Sequence, residues 1–389
     1  MGKRECMLRD DGGGRLKSAK STWGRRTGNN ATNSREASTS AVEDRAWYYT
    51  HVFPLDALAK LLCVGRGNTF QSRELTLFGP SRRVVVRHGH YGGPAGERHL
   101  RDLLKNARVA RVDFGPVCVQ DGAAWAAEDN DLVFDLDLDD YKNALPDSES
   151  GTLTAASWAH IAHSARALYA LVDVMIDLRA QSAAPMHAYG VFSGRRGVHL
   201  VFPRLRRSWA TGKRVVALLG AAKSLCESRV ASALAVKAEA HGGVAAQFVQ
   251  EIGKYARATL TRGRLQYMRE RRHVTCSDAN LLEELLARKD PCDADWCAAG
   301  LMMVAPVPDY SVTSDTSHLL KCPFSVHDST NVVSLPFDLS HALATDLASH
   351  LEGACIDNLA QSVHVRRQVA QRVRSASQFV LDFVKNIDT

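Results

Sequence analysis

Two carboxylates, Asp135 and Asp137, stand one residue apart in the run Leu132-Val133-Phe134-Asp135-Leu136-Asp137-Leu138. Side chains alternate faces along a strand, so both project the same way, with Cα atoms roughly 6.5 to 7 Å apart. Val133 continues that face, and Leu132, Phe134, Leu136 and Leu138 form the other. Like charges beside an apolar layer call for a cation, and hard oxygen ligands suit Mg²⁺ or Mn²⁺. Taken alone, the pattern also fits a strand running into an acidic loop, since Asp139 and Asp140 follow. Glycosyltransferases and phosphatases use similar pairs.

A second constellation lies about 60 residues downstream. Ser193-Gly194-Arg195-Arg196-Gly197-Val198-His199 sits between two apolar runs. Glycines let backbone approach a ligand, guanidiniums grip phosphate oxygens bidentately, and Ser and His add hydrogen bonds. By itself this is an exposed basic hairpin. With the carboxylates it makes the second half of a nucleotidyl-transfer site, in which metals neutralise the α-phosphate and cations hold the leaving pyrophosphate.

These residues need strands beneath them. Glu74–Phe78 and Arg82–His88 are β-rich and separated by Gly79-Pro80, which suits a turn between paired strands. Val109–Gly115 reads as a further strand, as do Ala188–Phe192 and Val198–Phe202 around the Gly-Arg-Arg-Gly connection. Helical periodicity appears from Trp47 to Leu62 and over residues 154–179, where Trp158, Ile161, Ala165, Leu168, Val172 and Ile176 share a face. Residues 211–300 are mostly helical, with a short helix at Leu281–Leu286 after Ser277-Asp278 as N-cap residues. Met302 to Leu335 reads as strand-like and Pro-interrupted. A C-terminal helix aligns Val365, Val369, Val373, Val380 and Ile387. No internal repeat is evident. The pattern predicts an α+β fold: a catalytic lobe over 45–205 and 301–389, with mixed sheets flanked by helices, interrupted by a helical insertion over 206–300.

The 389 residues, 45% hydrophobic, are ample for two or three lobes around a sizeable core. Nine scattered cysteines show no framework of disulfides, as expected in a reducing compartment. No apolar run suggests a membrane span or a signal-peptide core, so an intracellular protein without membrane association is expected. Residues 1–44 carry nine Lys or Arg against six acids and almost no large apolar residues, which predicts a disordered basic extension. Lys3-Arg4 and Arg25-Arg26 are short for a nuclear signal, and the acids argue against a mitochondrial transit peptide. A net charge of +7 is modest.

With these motifs in view, the chain resembles the small catalytic subunit of archaeal and eukaryotic DNA primases. Phe134–Tyr141 looks like the first motif of that family, Ser193–His199 like its second, and Pro308-Asp309 followed by His318–His327 like its third. Tyr48-Tyr49 with Phe53-Pro54, Gln71–Glu74 and Val112–Gly115 fit upstream, so the resemblance spans about 46 to 340. It implies a primase-type fold and a DNA-dependent RNA polymerase making short primers on single-stranded DNA from NTPs. Asp135, Asp137 and Asp309 would hold two Mg²⁺ or Mn²⁺ ions. Ser193, Arg195, Arg196, His199, Lys321 and His327 would hold the triphosphate, with Asp113 near the sugar. Arg87 and Arg111 look like basic neighbours of nucleotide or template, and Glu74 resembles an acidic position used in initiation. From the residues alone, Asp309 is an ordinary Pro-Asp turn residue and Lys321 a side chain that snorkels to solvent.

The resemblance also implies partners: a large subunit with an iron-sulfur cluster and, in a eukaryote, DNA polymerase alpha and a nuclear location; an archaeal protein would be cytoplasmic. One departure stands out. Relatives carry a cysteine-rich zinc knuckle after the first motif, whereas Tyr141 to Gly190 contains no cysteine. His160, His163 and His187 are the only soft ligands there and read as surface histidines, so zinc is not expected. His273, Cys276, Cys292 and Cys297 match no standard finger and read as buried or free groups. Two rivals remain: a repair or translesion primase-polymerase using dNTPs, and a nucleic-acid-binding subunit whose catalysis has decayed. A D-x-D glycosyltransferase would leave Ser193–His199 unexplained.

Overall fold

The computed structural model describes residues 39–64, 70–80, 83–106, 109–122, 124–145, 153–177, 186–206, 243–315, 317–340 and 353–388. Residues 1–38 of the expected basic extension and residues 207–242 of the expected insertion lie outside the described residues. The strands are β1 (Arg73–Phe78), β2 (Val84–Gly89), β3 (Arg111–Asp121), β4 (Ala124–Asp129) and β5 (Asp131–Asp137). They continue with β6 (Tyr189–Phe192), β7 (Gly197–Arg206), β8 (Leu320–Lys321) and β9 (Pro336–Phe337). One antiparallel sheet has the order β2-β1-β3-β4, with β8 also paired to β3; the other has the order β5-β7-β6-β9.

Helices cover these sheets, and the architecture is α+β. Helices α1 (Thr39–His51) and α2 (Leu55–Cys63) are separated at Phe53-Pro54, where proline cannot continue the first helix. Helix α3 (Gly93–Asn106) packs against α1. Helix α4 (Ala155–Asp177) lies on the β5-β7 sheet, with Trp158 edge-on to Phe192 and Tyr169 stacked on Phe202. Next come α5 (Val244–Thr259), α6 (Arg262–Glu270), α7 (Cys276–Ala287) and α8 (Asp293–Met303). Helix α5 packs on both α4 and α8, and its Phe248 and Ile252 join the same hydrophobic core as Phe134. Gly300 lets the α5–α8 contact close, since a Cβ there would meet the Ile252 carbonyl at 2.5 Å. After the short helix α9 (Tyr310–Ser314), the long α10 (Val363–Asp388) packs against α2 and β9.

Several boundaries differ from the sequence reading. Helix α1 begins at Thr39, inside the stretch expected to be disordered, and is held there as Asp44 accepts hydrogen bonds from the backbone of Asn358 and Ala360. Strand β3 runs past Gly115 to Asp121 through Pro116, with a register shift between Val117 and Cys118 that accommodates the proline. The span Met302–Leu335 is not strand-like: it is mainly helix ends and loops, with only β8 in a sheet. The N-cap of α7 is Thr275, not Ser277-Asp278. Its hydroxyl accepts from Asp278 N while the Asp278 carboxylate accepts from Thr275 N, a capping box.

Arg73 ties the two sheets together. Its buried guanidinium reaches Asp131 at 3.0 Å, Asn130 at 3.2 Å and the carbonyls of Gly115 and Leu62. A charge taken out of water this way is tolerated only when its donors are met on several sides.

Candidate active site

The carboxylates stand on the face of β5 turned away from α4. Phe134, Leu136, Leu200 and Phe202 are fully buried on the other face. The β5–β7 register places Asp135 opposite His199 and Asp137 opposite Gly197. First and second motifs are therefore neighbouring strands, and His199 Nε2 lies 3.7 Å from Asp135 Oδ1.

Between β6 and β7 the second motif turns tightly. Ser193 N donates to Gly197 O at 2.9 Å, and Gly197 N donates back to Ser193 Oγ at 3.0 Å. Gly194 is left-handed, with φ +86°, and a Cβ there would strike His327 Cβ and Val332 O, each at 2.8 Å. The third motif packs onto this turn. Lys321 Nζ and Ser334 Oγ both donate to Ser193 O, at 2.9 and 3.0 Å, and Thr330 Oγ1 donates to Gly194 O at 2.6 Å. Lys321 is thus buried and aimed inward rather than snorkelling.

Asp309 arrives from the far side. Its backbone N–H donates to Asp135 O at 2.9 Å, which fastens the 305–309 segment to the open edge of β5. Its Oδ1 accepts from Ser311 N and Ser311 Oγ, each at 2.8 Å, so it caps α9. Tyr141 supports this placement by accepting a hydrogen bond from Val307 N at 3.2 Å.

Charge in the cleft is unbalanced in a telling way. Burial, then the neighbouring charges of Asp137, Asp309 and Asp140, push the Asp135 carboxyl up to about 7, with Lys321 opposing. On the side of the second and third motifs, burial and Arg111 lower Lys321 to about 8. Burial and Lys321 hold both His199 and His327 down at about 3, so both are neutral at pH 7. The carboxylates therefore repel one another with Lys321 as their opposing charge, while Lys321 is itself supported by Asp328, Asp113 and Asp135. Arg196 also faces the acids, with Nε 3.0 Å from Asp137 Oδ1 and its guanidinium also on Asp139. Arg195 is exposed but close enough to His327 to disfavour its charging. Among the described residues no three ligating side chains already form a closed metal cluster.

The other expected residues divide. Asp113 pairs with Lys321 across β3 and β8, and its carboxylate is gripped by Arg111 at 2.6 and 2.5 Å. Burial raises its pKa despite that pairing. Arg111 also reaches Asp328 at 3.4 Å and lies over the Phe78 ring. Glu74 is buried on β1 with its carboxylate 2.7 Å from His88 Nδ1. Arg87 is exposed on β2, two strands from β3 and away from the carboxylates.

His160 and His163 are not surface histidines, because α5 covers α4 and seals both beneath Tyr255. His187 is half-buried against Phe383. His273 Nε2 lies 3.1 Å from Met303 O, Cys297 is buried, and Cys276 and Cys292 are exposed. The supports from Tyr141, Thr330 and Ser334 were missed, since nothing local in the sequence links them to the motifs they hold.

A family model for the DNA primase small subunit matches residues 134–339, just over half of the chain, and takes in all three motifs. The chain belongs to the DNA primase small subunit family. A curated relative, the DNA primase small subunit of Caenorhabditis elegans, is 27% identical over 165 residues. That alignment covers 40% of this chain and 38% of the relative. No helix among the described residues is long and apolar enough to cross a membrane.

Proposed function

We propose that this chain synthesises short RNA primers on single-stranded DNA, joining a ribose 3′-hydroxyl to the α-phosphate of an incoming NTP with release of pyrophosphate. The observation that carries the reading is the Asp135 carboxyl, pushed up to about 7 by burial and three neighbouring acids. Such a site holds on to its proton and, once ionised, attracts cations strongly. Oxygen donors of Asp135, Asp137 and Asp309 suit two Mg²⁺ or Mn²⁺ ions. When bound, those ions activate the attacking hydroxyl and neutralise the α-phosphate.

The chain's own residues do the rest. Ser193, Arg195, Arg196, Lys321 and His327 hold the β- and γ-phosphates, and His199 donates a hydrogen bond as a neutral imidazole. Arg196, which rests on Asp137 and Asp139, is freed to grip phosphate oxygens once those carboxylates have another cation. Asp113, fixed by Arg111, lies beside Lys321 and reaches the nucleotide sugar. An NTP substrate is favoured over dNTP by the completeness of the third motif from Asp309 to His327. A large subunit with an iron-sulfur cluster, DNA polymerase alpha and a nuclear location complete the reading.

The decisive experiment is primer synthesis on single-stranded DNA with NTPs or dNTPs, with Mg²⁺ or Mn²⁺. Asp135→Ala, Asp137→Ala and Asp309→Ala should each abolish it without unfolding the chain. Synthesis retained by the Asp135→Ala/Asp137→Ala protein would overturn the mechanism.

A further inference from the structure

Helix α6 and the turn after it, Arg262-Gly-Arg-Leu-Gln-Tyr-Met-Arg-Glu-Arg-Arg272, carry five arginines against one acid. The segment lies outside the three motifs. Arg264 serves the interior: its Nη2 donates to Tyr255 Oη at 3.0 Å and lies 3.2 Å from His160 Nδ1. His160 in turn packs edge-on to Tyr141, the tyrosine that holds the Asp309 segment. A second tie is made by Tyr267, whose hydroxyl donates to Lys142 O at 2.7 Å, with Arg271 lying over its ring. Lys142 is five residues after Asp137, so this anchor lies within about 18 Å of the carboxylate along the chain. The second ends on the turn that directly follows the catalytic strand, and the first reaches that turn through His160 and Tyr141. They fix α6 relative to the cleft.

The outward side of α6 is different. Arg262 and Arg269 are exposed and seven residues apart, on one helix face, and both line an open groove of about 640 Å³ between α6 and α7. The acids in that groove are engaged: Glu283 by Arg269 at 3.2 Å and Glu270 by Gln266 at 2.9 Å. Arg272 is exposed with φ +57°, where glycine is the usual residue at a helix C-terminus and a side chain costs roughly 1 kcal/mol. An arginine held there by the turn points its charge away from the core. A solvated basic face is the ordinary fate of such a segment, but an ordinary one is not pinned twice to a catalytic turn.

We infer that Arg262 and Arg272, with Arg269 exchanging its Glu283 partner for a phosphate, form a track for the sugar-phosphate backbone of the nucleic-acid strand that the cleft copies. This rests on the primase reading above. Guanidiniums at fixed positions recognise phosphodiesters without reading sequence, and each phosphate they neutralise adds to the salt dependence of binding. Tyr267 is a positioning residue that sets where the track meets the cleft.

The test is fluorescence anisotropy of a labelled single-stranded DNA, with neither nucleotide nor divalent metal, across a series of salt concentrations. Binding alone is read, so it stands or falls separately from catalysis. Arg262→Glu/Arg272→Glu should weaken binding ~10-fold and flatten the salt slope by about 0.7 for each phosphate no longer neutralised. Arg367→Glu/Arg374→Glu, the same two charge reversals at exposed positions of α10, should do neither. In synthesis assays the double variant should raise the template KM and leave kcat at saturating template unchanged. An unchanged affinity and slope in a variant with wild-type melting temperature overturns the proposal. So does a weakening that Arg367→Glu/Arg374→Glu reproduces.

Discussion

The two ends of β5 handle charge in opposite ways. At its start Asp131 is buried, but Arg73 meets it at 3.0 Å and four groups share that guanidinium. Towards its end Asp135 faces three further acids, Asp137, Asp309 and Asp140, and burial with their charge drives its carboxyl to about 7. Seven residues of one strand thus hold a matched ion pair and a mismatched cluster. The first welds two sheets. The second keeps like charges together at a cost to stability, where the first serves the fold.

The comparison breaks most sharply at the mismatched end. On the function proposed above, Asp135→Asn should lower primer synthesis by more than about 1,000-fold, read in a single-turnover assay, because the proposed metal ligand and its charge are both lost. At the matched end the effect falls on the fold. Arg73→Leu should destabilise by about 3–5 kcal/mol, since it strands a buried carboxylate. Urea denaturation checks this, and an unchanged midpoint would mean the clamp does not hold the sheets.

pH sharpens the contrast. Asp135 has a folded pKa near 7 against an ordinary value of 3.8, so it favours the folded state while protonated. In metal-free protein that contribution is complete below about pH 4 and lost as pH rises through 7. Asp135→Asn should therefore be more stable than wild type at pH 8, by about 1–3 kcal/mol after allowance for its 27% exposed side chain, and should melt higher. The difference should vanish near pH 4. Smallest is Tyr141→Phe, which removes the acceptor for Val307 N and should cost about 1 kcal/mol. It should also weaken binding of Mn²⁺, measured by titration calorimetry, because Asp309 is held less firmly.

The sequence already contained much of the site. Asp135, Asp137 and the 193–199 turn were legible because strand alternation and glycine turns are local rules, and the β5–β7 pairing brings the two motifs side by side. Strand β4 was not, since Ala-Trp-Ala-Ala-Glu-Asp lacks the β-branched residues that mark strands. Asp309 could be placed only by likeness: its position depends on a backbone hydrogen bond to Asp135, 174 residues earlier. His160 and His163 were misjudged for a similar reason. Their own helix looks half-exposed until α5, more than 80 residues on, covers it.

Gly194 has one more consequence. Its missing side chain is what allows the second motif to rest directly on His327 and Val332, so the two loops form one mechanical part although about 130 residues of chain separate them. Inheritance must treat them as a unit. A chimera that imports the 193–199 turn without the matching 327–334 loop would carry every letter of the motif and lack the loop it rests on.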